Sequence, residues 1–262
     1  MSNSPFKITL SEATKFVQDY VDEFIKIGGP SIVPNIIGGT IKKDLLIKQR
    51  DIAREKIKIL NESGPYEGLV AWFCWELASN IRDTMFFLSF EVSDWIILGS
   101  EELQRPDFKL LSRPFDIYRY NSDLDKDIEK LLVEHGPERM QEAFPDLIER
   151  GDSNTEVGKV LKLRLDFHNS GPKEPSGEKY NDTPFGVFEN EKYNDVDDFL
   201  EQPNLEYIRY YFGYDKTKDQ NKIRVILVGV DANKKNMVPR NDTEAKSTGP
   251  YILQKSWPPG ED

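Results

Sequence analysis

Cysteine and histidine are scarce in this chain. Its 262 residues include a single cysteine, Cys74, and only two histidines, His135 and His168. One cysteine can form neither an intrachain disulfide nor a cysteine-rich zinc site, which is typical of proteins kept in a reducing compartment. We therefore expect a cytoplasmic protein. Cys74 lies within the apolar run 70–75 and is predicted to pack as a small core side chain.

Long hydrophobic runs are also absent. A transmembrane helix needs about 18 consecutive apolar residues without charges. The most apolar region, residues 68–99, is interrupted at Glu76, Arg82, Asp83, Glu91 and Asp94. The N-terminal residues lack a basic start followed by an apolar core. We therefore expect neither a membrane span nor a signal peptide.

Basic side chains are outnumbered by acidic ones. The chain has 35 Lys and Arg against 46 Asp and Glu, which gives a formal net charge of −11. A negative field repels phosphate backbones, so we expect no nucleic-acid partner. Residues 42–58 are locally basic and are the one stretch where such contact would be sought.

The acidic excess is concentrated in two segments, residues 121–152 and 189–206. One interpretation is that these acids coat solvated helix faces. The other is that they form a docking surface for a protein partner with a basic surface. The sequence leaves both interpretations open.

Helical signals dominate residues 1–155. Thr9 and Glu12 have the spacing of a capping box before a helix that ends at Gly28. Further helices are predicted over 41–60 and 66–81, with Gly38-Gly39-Thr40 as a linker that ends in an N-cap. Residues 84–98 fit either a buried strand or a helix, and we favour the strand.

The rest of this half is predicted to alternate between the two kinds of element. A short strand is expected over 115–120. A helix capped by Ser122 or Asp123 is expected to end at His135, where a cation interacts well with the helix dipole. Pro137 suits the first turn of another helix that ends at Gly151.

Strand signals dominate residues 156–262. Apolar and polar residues alternate over 161–168, which predicts a half-buried strand. Two β-rich runs, 207–214 and 222–230, flank a polar loop and predict a hairpin. A strand at 185–189, an acidic helix at 194–202 and a final strand at 251–257 complete the prediction.

These elements predict an α+β fold, in which a mostly helical N-terminal part packs with a mixed, mainly antiparallel C-terminal sheet. The chain divides either into two domains, 1–155 and 156–262, or forms one compact domain, 1–262.

Three C-terminal sequence blocks carry a resemblance to known proteins. They read IRYYFGYD, KIRVILVGVDANKKNM and ILQKSWPPG, and the early block ITLSEA accompanies them. Together they resemble the ends of an uncharacterised bacterial protein family that shares this strand–hairpin block. The resemblance implies a shared structural module. It brings no activity and no site residues with it.

Catalytic and metal-binding candidates are few. Asp166 and His168 would share one face of the predicted strand, so an Asp–His pair is a candidate catalytic site. Asp215 and Asp219 in the hairpin loop are candidate metal ligands, although the lysines between them weaken a cation site.

Neither a calcium loop nor a known cofactor motif is complete in this sequence. Asp123, Asp125, Asp127 and Glu134 have calcium-loop spacing, but Ile128 replaces the required glycine. The same stretch fits a helix with apolar residues facing inward, including Leu124. No phosphate loop, dinucleotide fingerprint or H-E-x-x-H motif occurs, so we expect no cofactor.

The predicted hairpin carries the candidate binding residues Tyr207, Arg209 and Tyr211 on one face of its first strand. Aromatic residues and arginine are typical of binding hot spots if that face is open. Because both faces of the hairpin are substantially apolar, burial on both sides is the alternative, and Arg209 would then need carboxylate or carbonyl partners.

The function predicted from these features is a non-enzymatic protein-binding or regulatory protein that acts through its acidic surfaces. The alternative is a carboxylate-based, hydrolase-like enzyme, since acid–base catalysis by paired carboxylates needs no local motif.

Overall fold

A computed structural model describes the chain in thirteen stretches. They are residues 6–26, 35–60, 67–76, 85–94, 114–139, 142–143, 163, 165–167, 169–171, 185–189, 195–216, 222–247 and 249–255.

Helices in the described residues range from a single turn to five turns. They are α1 (Leu10–Tyr20), continued by a π-helical turn (Val21–Lys26), α2 (Lys43–Leu60), α3 (Ile128–Glu134), a 3₁₀ turn (Pro137–Arg139), α4 (Asp195–Leu200) and α5 (Asp242–Ser247). No helix among the described residues is both long enough and apolar enough to span a membrane.

The strands are between two and ten residues long. They are β1 (Lys7–Ile8), β2 (Ile36–Lys42), β3 (Glu67–Glu76), β4 (Met85–Asp94), β5 (Asp116–Arg119), β6 (Glu142–Ala143), β7 (Phe185–Glu189), β8 (Tyr207–Asp215), β9 (Lys222–Val230), β10 (Asn236–Met237) and β11 (Ile252–Lys255).

Two antiparallel sheets contain these strands. The larger sheet has eight strands in the order β1-β11-β9-β8-β2-β5-β6, with β10 also paired to β9. The smaller sheet has the order β4-β3-β7. The predicted α+β class with a mainly antiparallel sheet is therefore confirmed. The description of the N-terminal part as mostly helical is looser, because the larger sheet takes strands from both sides of residue 155.

Several predicted elements are confirmed at their expected places. The hairpin forms as β8 and β9, with Tyr207 opposite Val230 and Asp215 opposite Lys222. Region 84–98 contains strand β4, as favoured. The strands at 115–120, 185–189 and 251–257 and the acidic helix at 194–202 correspond to β5, β7, β11 and α4.

The helix predicted over 66–81 is wrong, because residues 67–76 form strand β3. Leu69, Val70, Ala71, Phe73 and Cys74 are all buried, so both faces of this strand are covered. A strand covered on both faces shows a continuous apolar run instead of alternation. Such a run contains positions at helical spacing by chance, so periodicity alone cannot separate the two structures.

The predicted linker at Gly38-Gly39-Thr40 is also wrong, since these residues lie inside β2. A Cβ on Gly39 would lie 2.6 Å from the Tyr210 hydroxyl oxygen and 2.7 Å from the Asp116 carbonyl oxygen. A Cβ on Gly38 would collide with the Tyr210 carbonyl oxygen. Glycine is needed here for the close approach of neighbouring strands, which is a role of glycine inside sheets.

The strand predicted over 161–168 is replaced by helical structure at residues 163, 165–167 and 169–170. Leu163 and Phe167 are buried, whereas Leu165 between them is 56% exposed. Residues four apart share a helix face, while residues two apart do not. The alternation of apolar and polar residues was therefore a misleading signal.

Two predicted helices in the acidic segment begin or end elsewhere. The first starts at Ile128 with Asp127 as N-cap, and Leu124 is exposed in the preceding turn instead of facing inward. After Pro137 only a 3₁₀ turn forms, and residues 142–143 are a short strand. The remainder of that predicted helix, 144–151, lies outside the described residues.

The two sheets share one hydrophobic core. Phe86 of β4 stacks on Phe212 of β8 with ring centroids 4.3 Å apart, and Phe167 stacks on Phe73 at 5.0 Å. The Tyr210 hydroxyl of β8 accepts a hydrogen bond from the backbone nitrogen of Leu88 in β4 at 3.3 Å. This contact ties the smaller sheet directly to the larger one.

Candidate functional site

The predicted binding residues on β8 are mostly buried. Arg209 is 1% exposed and Tyr211 is fully covered, while Tyr207 is half-buried. The open-face alternative therefore does not describe this hairpin, and the expected burial does. Among the residues that hydrogen-bond to Arg209 or Tyr211 are His135, Lys234 and Asn236.

The Arg209 guanidinium group binds neutral acceptors. Its Nε donates to Thr40 Oγ1 at 3.1 Å, and its Nη1 donates to the His135 carbonyl at 3.1 Å and to Asn236 Oδ1 at 2.6 Å. Its Nη2 donates to the Lys234 carbonyl at 3.3 Å. The expected carbonyl partners are thus present. His135 is the C-cap of α3, so the guanidinium charge lies at the negative end of that helix.

A buried acid, Asp116, is linked to Arg209 through Thr40. Its carboxyl accepts hydrogen bonds from Thr40, the residue that also accepts from Arg209 Nε. Burial raises the pKa of Asp116, while the Thr40 hydrogen bonds and the Arg209 charge act in the opposite direction. The Asp116 Oδ1 atom is buried and has no hydrogen-bond partner. Thr40 therefore lies between a buried cation and a buried carboxyl group.

Asn236 and Tyr211 extend the network to His135. Asn236 Nδ2 donates to the Leu132 carbonyl at 2.7 Å and to the Tyr211 hydroxyl oxygen at 2.8 Å. The same hydroxyl lies 2.7 Å from His135 Nδ1. The network therefore connects strand β8, strand β10 and the last turn of α3.

Burial governs the protonation of these groups. It lowers the pKa of His135 well below the ordinary value, and the charges of Arg209 and Arg139 act in the same direction. Burial also raises the pKa of Tyr211 to about 12. His135 is therefore neutral at neutral pH. The sequence-based expectation that it is the cation at the end of the helix is corrected, because Arg209 takes that place.

We call the side chains of Thr40, Asp116, His135, Arg209, Tyr211 and Asn236 the Arg209 network. Its members are between 2 and 196 positions apart along the chain. Sequence reasoning identified Arg209 and its need for carbonyl partners. It missed Thr40, Asp116 and Asn236, because no local pattern marks residues that meet only through the sheet.

The catalytic candidates are not assembled in the way the sequence predicted. Asp166 is half-buried in the helical segment, and His168 lies outside the described residues. The argument for a shared face assumed a strand, and the described residues 163, 165–167 and 169–170 are helical instead. The proposed pair stays a prediction without geometric support.

The metal-ligand candidates have a similar outcome. Asp215 is buried, and its Oδ2 lies 3.2 Å from Arg224 Nη2 in an ion pair. Asp219 lies outside the described residues. Within the described part of the chain, no three His, Cys, Asp or Glu side chains are grouped as metal ligands. The calcium-loop candidate Asp125 is buried and pairs with Arg139 at 2.9 Å.

The acidic segment 189–206 is largely occupied by internal ion pairs. Lys7 lies 3.4 Å from Asp195 and 2.7 Å from Asp198. Arg50 Nη1 lies 2.9 Å from Asp197 and 3.2 Å from Glu201. These contacts attach α4 to β1 and α2, so this acidity serves packing within the chain.

The acidic segment around α3 is different, because most of its described acids are exposed, with Asp125 as the buried exception. Leu124 is 62% exposed and Val133 is 42% exposed, and they are two of the three exposed large hydrophobic side chains in the described residues. We define the α3 surface as these two residues together with the exposed acids Asp123, Asp127, Glu129 and Glu134. It combines two apolar side chains with four acids. The same stretch also exposes Lys126 and Lys130, and Lys130 lies 3.8 Å from Glu134.

Comparison with known proteins finds no relative of this chain. The chain matches no protein-family model, and neither curated proteins nor solved structures give a match.

Proposed function

We propose that this chain is a non-enzymatic protein-binding or regulatory protein whose α3 surface contacts a partner with a basic, partly apolar surface. The observation that supports this proposal is the exposure of Leu124 and Val133 among solvent-facing acids. Apolar side chains in such a place contribute binding energy when a partner covers them, and the surrounding acids select for opposite charge.

The internal ion pairs of α4 support the choice of the α3 surface over the other acidic segment. Asp195, Asp197 and Asp198 already contact Lys7 and Arg50. Around α3, the acid Asp125 has a buried partner in Arg139, whereas Asp123 and Glu129 are exposed. Glu134 lies 3.8 Å from Lys130 in an exposed ion pair, so Asp123 and Glu129 are the acids of this surface that we expect to meet an external cation.

The Arg209 network supports a preorganised surface. It fixes the C-terminal turn of α3 through hydrogen bonds to the Leu132 and His135 carbonyls. A surface that is already ordered loses less conformational entropy on binding than a mobile one. We place this function in the cytoplasm, where a chain with one cysteine stays reduced.

A direct test uses two fluorescent amphipathic peptides of equal length, one built from Lys and Leu and the other from Glu and Leu. Fluorescence anisotropy is measured with the full chain at low and high salt. We expect the Lys peptide to bind more tightly, with an affinity that falls as salt screens the charges. In the Leu124→Ser/Val133→Ser variant the affinity should fall by about fivefold or more, because one hot-spot contact contributes about 1 kcal/mol or more.

Charge is tested with Glu129→Gln/Glu134→Gln, for which the salt dependence should become weaker. The matched control is Asp51→Asn/Glu206→Gln, which removes the same formal charge at two exposed positions outside the α3 surface. Equal binding of the two peptides, or equal losses in the control and the α3 variants, would contradict the proposal.

A further inference from the structure

We propose that α3 and the 231–237 turn form an acid-releasable clamp on the sheet, opened by a proton on His135 Nδ1. The clamp itself rests on the hydrogen bonds of the Arg209 network. Its consequence for binding rests on the function proposed above, because α3 carries the α3 surface.

Hydrogen-bond directions in the network follow from its one permanent cation. Arg209 can only donate, so the Asn236 atom at 2.6 Å from its Nη1 must be the amide oxygen. The Asn236 amide nitrogen then uses its two hydrogens on the Leu132 carbonyl and the Tyr211 hydroxyl oxygen. The orientation of the amide group is therefore determined.

The same logic determines the state of His135. Because the Tyr211 oxygen already accepts from Asn236, its own hydrogen is directed at His135 Nδ1, 2.7 Å away. His135 Nδ1 is then the acceptor, and the neutral imidazole carries its hydrogen on Nε2. A proton on Nδ1 would put two donors against each other at this contact.

Groups on several structural elements surround His135, and together they disfavour its charged form. The charged and titratable groups that face it are Tyr118 of β5 (ring centroids 4.4 Å apart), Asp116 of β5 through Arg209, Tyr211 and Arg209 of β8, Arg139 of the 3₁₀ turn, and Asp125, which is paired to Arg139. The two arginines bring positive charge. Of the two buried carboxyl groups named, Asp125 is bound to Arg139, and Asp116 accepts hydrogen bonds from Thr40.

Protonation of His135 therefore favours a state in which the imidazole reaches water. His135 is the C-cap of α3, and its carbonyl also accepts from the Asn236 backbone nitrogen at 3.2 Å. Movement of His135 thus breaks hydrogen bonds that join α3 to the 231–237 turn, while the pairing of β10 with β9 remains. Strands β8 and β9 keep their own nine-residue pairing and do not depend on this contact.

Hydrogen exchange of the full chain tests the clamp without any partner. Exchange rates are corrected for the pH dependence of the intrinsic chemistry and compared at about pH 7 and about pH 5. One proton taken up on opening, with an ordinary histidine pKa of about 6.5 in the open state, predicts an increase of about 25-fold in the opening constant of α3 amides. Amides of β8 and β9 should change far less.

His135→Gln removes the titrating group while keeping an oxygen that can accept from Tyr211, and it should abolish the pH effect in α3. The matched control is His168→Gln, which removes the other histidine of the chain and should leave the effect intact. Equal α3 exchange at both pH values in the unaltered chain, or the same pH effect in His135→Gln, would overturn the clamp.

If His135→Gln does not fold, the tautomer of His135 is determined instead from nitrogen-15 NMR spectra of the unaltered chain. Comparison with His168→Gln identifies which imidazole signals belong to His135. The clamp requires hydrogen on Nε2 and none on Nδ1 at neutral pH, and the opposite tautomer would overturn it. The Lys–Leu peptide tests the link to binding, because a ligand that binds only the closed state lowers the opening constant by mass action. With saturating Lys–Leu peptide, the exchange of α3 amides should slow at both pH values. Unchanged α3 exchange in the presence of the peptide, beside acid-sensitive exchange in its absence, would contradict the proposed function and leave the clamp standing.

Discussion

At the scale of single residues, Arg209 has the largest expected effect on stability. In Arg209→Met, the Thr40 hydroxyl, the carbonyls of His135 and Lys234 and the Asn236 amide oxygen each lose the hydrogen bond that Arg209 donates. The His135 carbonyl keeps only its bond from the Asn236 backbone nitrogen. An unsatisfied buried polar group costs about 1–3 kcal/mol, so we expect a loss of at least about 3 kcal/mol in the free energy of unfolding.

Urea unfolding followed by circular dichroism measures this loss. Arg240→Met is the control, since Arg240 is exposed, and it should change stability by less than about 0.5 kcal/mol. A similar small change in Arg209→Met would show that the network contributes little to folding.

Asp116 gives a pH-dependent prediction of opposite sign to that of His135. Its pKa is raised in the folded chain, so between the unfolded and folded pKa values the folded state binds more protons than the unfolded state. Stability from this group therefore increases as the pH falls through the folded pKa and is complete below the unfolded value of about 3.9. Asp116→Asn cannot titrate at this position. Its free energy of unfolding should therefore fall relative to that of the unaltered chain as the pH decreases from about 7 to 4.

The comparison is made by urea unfolding of both proteins across that range. The difference between the two curves isolates Asp116, because His135 and the surface acids are common to both. A constant difference at every pH would mean that the Asp116 pKa is not raised by burial.

At the scale of elements, α1 offers a matched pair of substitutions. The Thr9 hydroxyl accepts from the Glu12 backbone nitrogen at 3.1 Å, and Glu12 Oε2 accepts from the Thr9 backbone nitrogen at 2.8 Å. Thr14, five positions after Thr9, has a buried hydroxyl without a partner. Thr9→Val should cost about 1 kcal/mol through loss of the cap, whereas Thr14→Val should be neutral or stabilising.

Thermal unfolding monitored by circular dichroism compares the two variants directly. Both substitutions replace a hydroxyl by a methyl group in the same helix, so differences in β-branching or volume cannot explain opposite results. Equal destabilisation by the two would contradict the assignment of the cap.

The same helix shows which elements a sequence can predict. The signal for α1 is local, because Thr9 and Glu12 satisfy the first backbone groups of the helix by themselves. The nature of β3 is decided elsewhere, since β4 and β7 pair with its two edges. The described residues 163, 165–167 and 169–170 are helical, and Phe167 among them packs on Phe73 and Phe86 in the core. Such partners are distant in the chain and leave no local signature.

At the scale of the whole molecule, the Arg209 network shows the same limit for the candidate site. Arg209 was recognisable as a charged residue in a strand apolar on both faces, and its need for acceptors follows from burial alone. The identity of those acceptors depends on which turn and which helix end lie over β8. Asn236 and His135 reach Arg209 only because β10 pairs with the end of β9 and α3 ends beside it.

The coupling between the two sheets depends on Tyr210, and it leads to the final prediction. Tyr210→Phe keeps the ring that packs against Phe90 and Phe212 but removes the acceptor for the Leu88 backbone nitrogen. A buried donor left without an acceptor costs about 1–3 kcal/mol. Because the lost bond joins the sheets, we expect amides of β3 and β4 to exchange faster relative to those of β8 and β9.

Tyr207→Phe, at a half-buried position of the same strand, is the control and should leave this ratio of exchange rates unchanged. If exchange accelerates equally in both sheets, the hydrogen bond contributes to global stability only, and the sheets open together as one cooperative unit.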